Sequence, residues 1–308
     1  MSTQKKTSNS KSRLKKQVAN SVLNGLNSDE VLSTINKIEN FDLKLIPTQQ
    51  IIDELAPLFR GLRNFGIVLR ERYALYRGVP YDKRPVKVDQ LSYNNNLNAI
   101  KTLGRCNDIR QTVFYSCNRM QGVFEEIGIE AQVIYVGVWR VNQELRLNNV
   151  AYTENVTKVL ASERELSMKH HRGDPNSIMS GTNEVALNFL SDSFIGTVCK
   201  TENYKYKLPV AIYSALTKGD PCGLGYPSVA GKGDYDNFVI KKEIIDAGKL
   251  TLVQVNECTY KPDSQNTGHY RYLTGTGIPD REGNIIWLDN AIQFNSLYAD
   301  GEYDYLEK

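Results

Sequence analysis

Histidine is scarce in this chain, three residues in 308. His170 and His171 are neighbours in a polar stretch with no third ligand at metal-binding spacing, so no metal centre is expected. The cysteines (Cys106, Cys117, Cys199, Cys222 and Cys258) are odd in number and form no CxxC pair. They read as reduced thiols of a cytoplasmic protein, not as a disulfide framework. No apolar run is long enough to cross a bilayer; the best, Val133 to Trp139, has the length of a strand. The basic, polar N-terminal stretch has no apolar segment behind it, unlike a secretory signal. A Gly-x-Ser-x-Gly elbow is missing, and Gly231-Lys232-Gly233 lacks the spacing and hydroxyl of a phosphate loop. Membrane proteins, metalloenzymes, serine hydrolases and P-loop nucleotidases are therefore disfavoured. No internal repeat is visible.

What is present is ordinary for a soluble globular protein: 41% hydrophobic and 24% charged residues, enough chain for one large domain or two small ones. The net charge of +3 is unevenly spread. Lys5, Lys6, Lys11, Arg13, Lys15 and Lys16 fall in the first sixteen residues with no acid among them, so the rest of the chain is net acidic. The body is not a basic nucleic-acid surface, and residues 1–16 read as a disordered basic arm. Residues 17–70 read as a helical extension. Helical spacing runs from Gln17 to Glu39 with a start at Ser28-Asp29-Glu30 after Asn27. A second helix, capped by Thr48, carries Ile51, Ile52, Leu55, Leu58 and Phe59, and Gly66 ends it or opens the following loop.

The main domain, residues 71–308, shows short strand patterns at Ala74–Arg77, Val113–Cys117, Ala131–Val141, Gly223–Ser228, Asn237–Ile240 and Leu250–Cys258. A C-terminal hairpin turns around Asp280–Asn284. Helices are expected at Thr157–Glu165 and Leu208–Leu216, and residues 142–205 read as an insertion. Strands separated by one or two helices argue α+β and not a doubly wound sheet.

The stretch from Gly104 to Glu126, GRCNDIRQTVFYSCNRMQGVFEE, concentrates the chemistry. A Gly-Arg-x-Asn turn leads into an aromatic strand and then a helix ending in Glu125-Glu126. Arginine offers a planar fork of donors suited to phosphate, an aromatic ring a stacking face, and a carboxylate a stabiliser for a cationic transition state. Adjacent helical positions point about 100° apart, so only one of Glu125 and Glu126 can face a common site.

Read with Tyr76-Arg77 upstream and Tyr226-Pro227-Ser228 and Asn237 downstream, this order resembles the RES family, named for its Arg, Glu and Ser. The resemblance covers roughly residues 72–258. The departures are Cys106, where the family often has a bulkier apolar residue, a longer interval between Glu126 and Ser228, and the extra segments at both ends. The resemblance implies an ADP-ribosyltransferase-like core of short mixed and antiparallel strands with flanking helices, and an enzyme for which NAD is the substrate and not a bound cofactor. Family members split the nicotinamide–ribose bond with water or phosphate as acceptor. Many act as toxins silenced by a helix-turn-helix antitoxin protein.

Carried over to this chain, Glu126 would stabilise the ribosyl cation and bind the 2′-hydroxyl, while Arg77 and Arg105 hold the pyrophosphate. Tyr115 would line the nicotinamide end, Ser228 would orient a ring or ribose, and Asn107 and Asn237 would join Arg105 and Tyr115 in binding NAD. NAD is the implied small-molecule partner, an antitoxin or a second copy of the chain the implied protein partner, and no membrane is involved. One alternative uses the same residues, transfer of ADP-ribose to a macromolecule; the other is a non-catalytic RES-like interaction protein whose helical front and basic arm bind a partner or nucleic acid.

Overall fold

The computed structural model describes residues 26–128, 133–164, 181–262, 269–288 and 303–306. Expectations for the arm at 1–16, for residues 17–25 and for the His170-His171 stretch lie outside these residues. Among the described residues there are seven α-helices: α1 Ser28–Glu39, α2 Thr48–Phe59, α3 Met120–Ile127, α4 Glu154–Leu160, α5 Gly181–Ile195, α6 Lys207–Leu216 and α7 Lys242–Asp246. The strands are β1 Gly66–Leu69, β2 Ala74–Val79, β3 Phe114–Cys117, β4 Val133–Val141, β5 Leu145–Asn149, β6 Gly223–Pro227, β7 Asp236–Ile240, β8 Leu250–Pro262, β9 His269–Pro279, β10 Ile285–Leu288 and β11 Tyr303–Leu306. None of the described helices is long and apolar enough to cross a membrane.

All the strands join one sheet in the order β10-β9-β8-β4-β2-β3-β7-β6-β5-β1-β11. Every pairing is antiparallel except β5 with β6. The architecture is α+β, as the strand and helix patterns imply. β4 is built from Val, Ile, Tyr and Trp, which fit a pleated surface buried on both sides, and it pairs along its length with β2 and β8.

Alternation along the strands divides the core between the two faces of the sheet. On one face Leu75, Phe114, Trp139, Phe238 and Ile240 form a buried layer with Ile67, Leu69, Leu145 and Leu147. The other face carries two helical groups. α3 packs Val123 and Phe124 on Ala74, Tyr76, Ile134 and Val136. Helices α1, α2, α4, α5 and α6 form the second group, over Leu224, Tyr226 and Val239.

Four boundaries differ from the sequence-based expectations. Residues 66–69 are a sheet strand and not the end of a helical extension: all four are buried, and they pair with β5 and β11. Thr48 does not cap α2; Pro47 occupies the cap position and makes no side-chain cap bond. The expected insertion at 142–205 contributes β5 to the sheet and α5 to the core. The helix expected at Thr157–Glu165 lies earlier, because the Thr153 side chain accepts the Val156 N–H and so fixes its start. By contrast, Asn27 caps α1 as the sequence suggested, accepting the N–H groups of Asp29 and Glu30.

Candidate active site

The polar residues meet where α3 crosses the sheet beside β7 and the end of β6. Glu126 Oε1 accepts hydrogen bonds from Ser228 Oγ at 2.5 Å and Asn237 Nδ2 at 2.7 Å. Its second oxygen, Oε2, has no partner among the described residues. Glu125 is exposed on another side of the helix, where its carboxylate accepts from Gln121 at 3.3 Å. Ser228 is fully buried, and its Oγ also accepts the Gly231 N–H at 2.9 Å. With its proton directed at Glu126, it orients the carboxylate.

The Gly231-Lys232-Gly233 segment is the turn that holds Ser228, with Gly233 N–H on Ser228 O at 2.7 Å. The Tyr235 ring locks this turn to α3. Added Cβ atoms at Gly122 and Gly231 would lie 2.4 and 2.1 Å from it, so both glycines are required by close packing.

The Gly-Arg-x-Asn turn is tied to β3 by Tyr115. Its hydroxyl accepts the Cys106 N–H at 2.8 Å and donates to Asn107 Oδ1 at 3.0 Å, while Gly104 N–H reaches Asn107 O at 3.0 Å. A Cβ at Gly104 would stand 2.2 Å from Asn107 Oδ1 and 2.9 Å from Tyr115 Oη, which is why glycine opens the turn. Asn107, expected to contact NAD, is hydrogen-bonded within this turn and lines an adjoining cavity with Arg77, Gly104 and Tyr115 and not the main one. Burial pushes the Tyr115 hydroxyl and the Cys106 and Cys117 thiols well above their ordinary pKa values, so all three stay neutral.

Arg77 lies on β2. It donates from Nε to Ser92 O at 3.0 Å and from Nη1 to Tyr115 O at 2.9 Å, with its guanidinium 5.3 Å from the Phe114 ring centre. Desolvation lowers its pKa to about 10, so it remains charged at neutral pH. Arg105 donates to the carbonyls of Phe194 and Gly196. Neither guanidinium has a carboxylate partner among the described residues. Arg77, a desolvated cation balanced only by carbonyls and a ring face, is poised to attract an anion.

Arg77, Arg105, Tyr115, Glu126 and Asn237 all line one cavity of about 350 Å³. That lies within the range of roughly 300–1,000 Å³ usual for small-molecule sites. Two further tyrosines line it. Tyr226 stands in the Tyr-Pro-Ser motif, where the motif order assigned it no role of its own, and its ring packs edge-on against Phe194 at 5.1 Å. Tyr206 had no signal, because it follows the segment read as an insertion. Among the described residues no group of His, Cys, Asp or Glu side chains could hold a metal ion. No protein-family model, curated protein or solved structure matches the chain.

Proposed function

We propose that this protein cleaves the nicotinamide–ribose bond of NAD, the reaction implied by the RES-like order of its residues. The observation that carries the reading is Glu126: a carboxylate fixed through one oxygen by Ser228 and Asn237, with the other uncommitted among the described residues, in a cavity shared with two arginines that have no carboxylate partner among those residues.

Nicotinamide leaves NAD as a neutral base from a cationic ring, so departure needs no general acid. The barrier is the oxocarbenium character developing at the ribose, as in glycoside cleavage. A fixed carboxylate beside the ribose opposes that charge without reorganising and accepts a hydrogen bond from the 2′-hydroxyl. Arg77 and Arg105 balance the pyrophosphate, and Tyr115 and Tyr226 supply apolar surface for the rings. Because Ser228 is buried and donates to Glu126, its role is to aim the carboxylate.

The test is nicotinamide release from NAD by purified protein, with and without inorganic phosphate, beside Glu126→Gln. Release by wild type with a loss of about 10²–10³ in the variant is expected, the scale of removing one electrostatic stabiliser. Phosphate dependence would identify the acceptor. Absence of release from folded wild type, or wild-type turnover by Glu126→Gln, would sink the reading.

A further inference from the structure

Arg105 sits in a sleeve built by chain outside the Gly-Arg-x-Asn pattern. Its guanidinium carbon lies 5.8 Å from the Phe194 ring centre and 5.6 Å from that of Tyr206. Nη1 donates to Phe194 O, and Nη1 and Nη2 both reach Gly196 O at 3.4 Å. These carbonyls close α5, which ends at Ile195. The last carbonyls of a helix lack intrahelical donors and carry the negative end of its dipole, so a cation there is held by hydrogen bonds and by charge. Phe194 is itself fully buried and braced against Tyr226. The Tyr206 hydroxyl has no hydrogen-bond partner among the described residues, so its ring is what it contributes to the sleeve.

These contacts use the guanidinium unevenly. Gly196 O occupies the edge between Nη1 and Nη2, and Phe194 O takes the other Nη1 hydrogen. The Nε hydrogen and one Nη2 hydrogen, which lie side by side on the remaining edge, have no partner among the described residues. Two parallel N–H groups on one edge are the geometry that grips two oxygens of a single phosphate.

We infer that Phe194, Gly196 and Tyr206 are positioning residues that present the Nε–Nη2 edge of Arg105 to a phosphate of the substrate. The segment from α5 to Tyr206 thereby sets affinity for a pyrophosphate-bearing dinucleotide. The inference takes its ligand class from the NAD reading and adds the residues that fix the anion contact. An arginine already clamped has less conformational freedom to lose on binding, so the clamp acts on affinity and not on the chemical step.

The experiment is calorimetric titration of the full chain with ADP-ribose, with nicotinamide release from NAD followed on the same proteins. Arg105→Lys keeps the charge and removes the fork; it should weaken ADP-ribose binding roughly 10- to 100-fold, as for a lost hydrogen bond to a charged group. Tyr206→Ala and Phe194→Leu should each weaken it roughly 5- to 10-fold, on the scale of a desolvated cation–π contact. Tyr206→Phe, which keeps the ring, should bind like wild type. Adding Tyr206→Ala to Arg105→Lys should cause no further loss, because both act through one guanidinium. In turnover, Tyr206→Ala should raise KM for NAD more than it lowers kcat. Thermal melting identifies any loss of fold in Phe194→Leu, and the partly exposed Tyr206 tests the clamp independently of the core.

Wild-type affinity in both Tyr206→Ala and Phe194→Leu, or in Arg105→Lys, would overturn the inference, as would failure of wild type to bind ADP-ribose. Binding through Arg105 without nicotinamide release would remove the NAD-cleavage reading and leave the clamp standing. Release with clamp variants of wild-type affinity would do the reverse.

Discussion

Ser228 Oγ donates to Glu126 Oε1 at 2.5 Å although 102 residues separate the two in the chain. The contact joins the end of β6 to the last turn of α3 and sets the direction of the carboxylate. Ser228→Ala removes this donor and also the acceptor of the Gly231 N–H. A hydrogen bond to a charged group is worth about 1.5–3 kcal/mol, so nicotinamide release should fall roughly 10- to 100-fold. Asn237→Ala acts on the same oxygen, and the double variant should lose less than the two single losses combined. Glu125→Gln should release nicotinamide at the wild-type rate, since Glu125 faces Gln121 and solvent. Steady-state release by the four proteins checks all of this, and an inactive Glu125→Gln beside an active Ser228→Ala would reassign the carboxylate.

Gly104→Ala places a methyl group where Asn107 Oδ1 and Tyr115 Oη now meet. Both obstructing atoms end side chains, so the protein should still fold, but the Tyr115–Asn107 bond must break or shift. Overpacking of this kind costs about 1–3 kcal/mol. The variant should melt earlier and bind ADP-ribose more weakly, because Arg105 rides on the displaced turn. Melting with and without ADP-ribose tests this; an unshifted melt would show that the turn has room that the geometry denies.

The chain is legible where chemistry is local and opaque where packing decides. β4 is readable from its β-branched and aromatic run, and Asp280–Asn284 from its turn residues. β5 is not: Leu145-Arg-Leu-Asn-Asn is short and polar at its end, and its parallel partner β6 lies far downstream. α5 buries Ala186, Leu187, Leu190 and Phe194 on one face, but the apolar Val185, Phe189 and Ile195 lie off that face, so no single apolar stripe marks it. The site shows the same division. Arg77, Arg105, Glu126, Ser228 and Asn237 could be named from motif order, whereas the rings around Arg105 are assembled only by tertiary contact.

Acid should loosen the β8–β10 end of the sheet first. Glu257 accepts from Arg84 at 2.6 Å and Thr274 at 2.9 Å, and its carboxyl is held below the ordinary range chiefly by the Arg84 hydrogen bond. Asp280 is lowered too, mainly by the Asn284 side chain and then by backbone N–H groups of the turn. Folded values below the unfolded ones mean stability that is complete above the ordinary carboxylate range and is lost as pH falls through the lowered values. Denaturation midpoints at roughly pH 6 and roughly pH 3, either side of that range, should differ more for wild type than for Glu257→Gln/Asp280→Asn. Equal pH dependence would show that neither carboxylate stabilises the fold.

The helices that precede the sheet belong to the main core. Ile51, Leu55 and Leu58 of α2 have no exposed surface, and they share one apolar cluster with Ala211 and Ile212 of α6 and Phe194 of α5. Leu55→Ala should therefore cost about 2–5 kcal/mol, the range for an apolar truncation in a closed core. An arm that merely rested on the domain would lose far less. Leu55 itself does not line the cavity, so the variant should keep its ligand contacts. A ligand that binds only the folded state adds stability set by its concentration and affinity, whatever the starting stability. Saturating ADP-ribose should then raise the denaturation free energy of Leu55→Ala by as much as that of wild type. A variant as stable as wild type would make α1 and α2 an appendage, and a smaller ligand-induced gain would mean that α2 reaches the Arg105 clamp through α5.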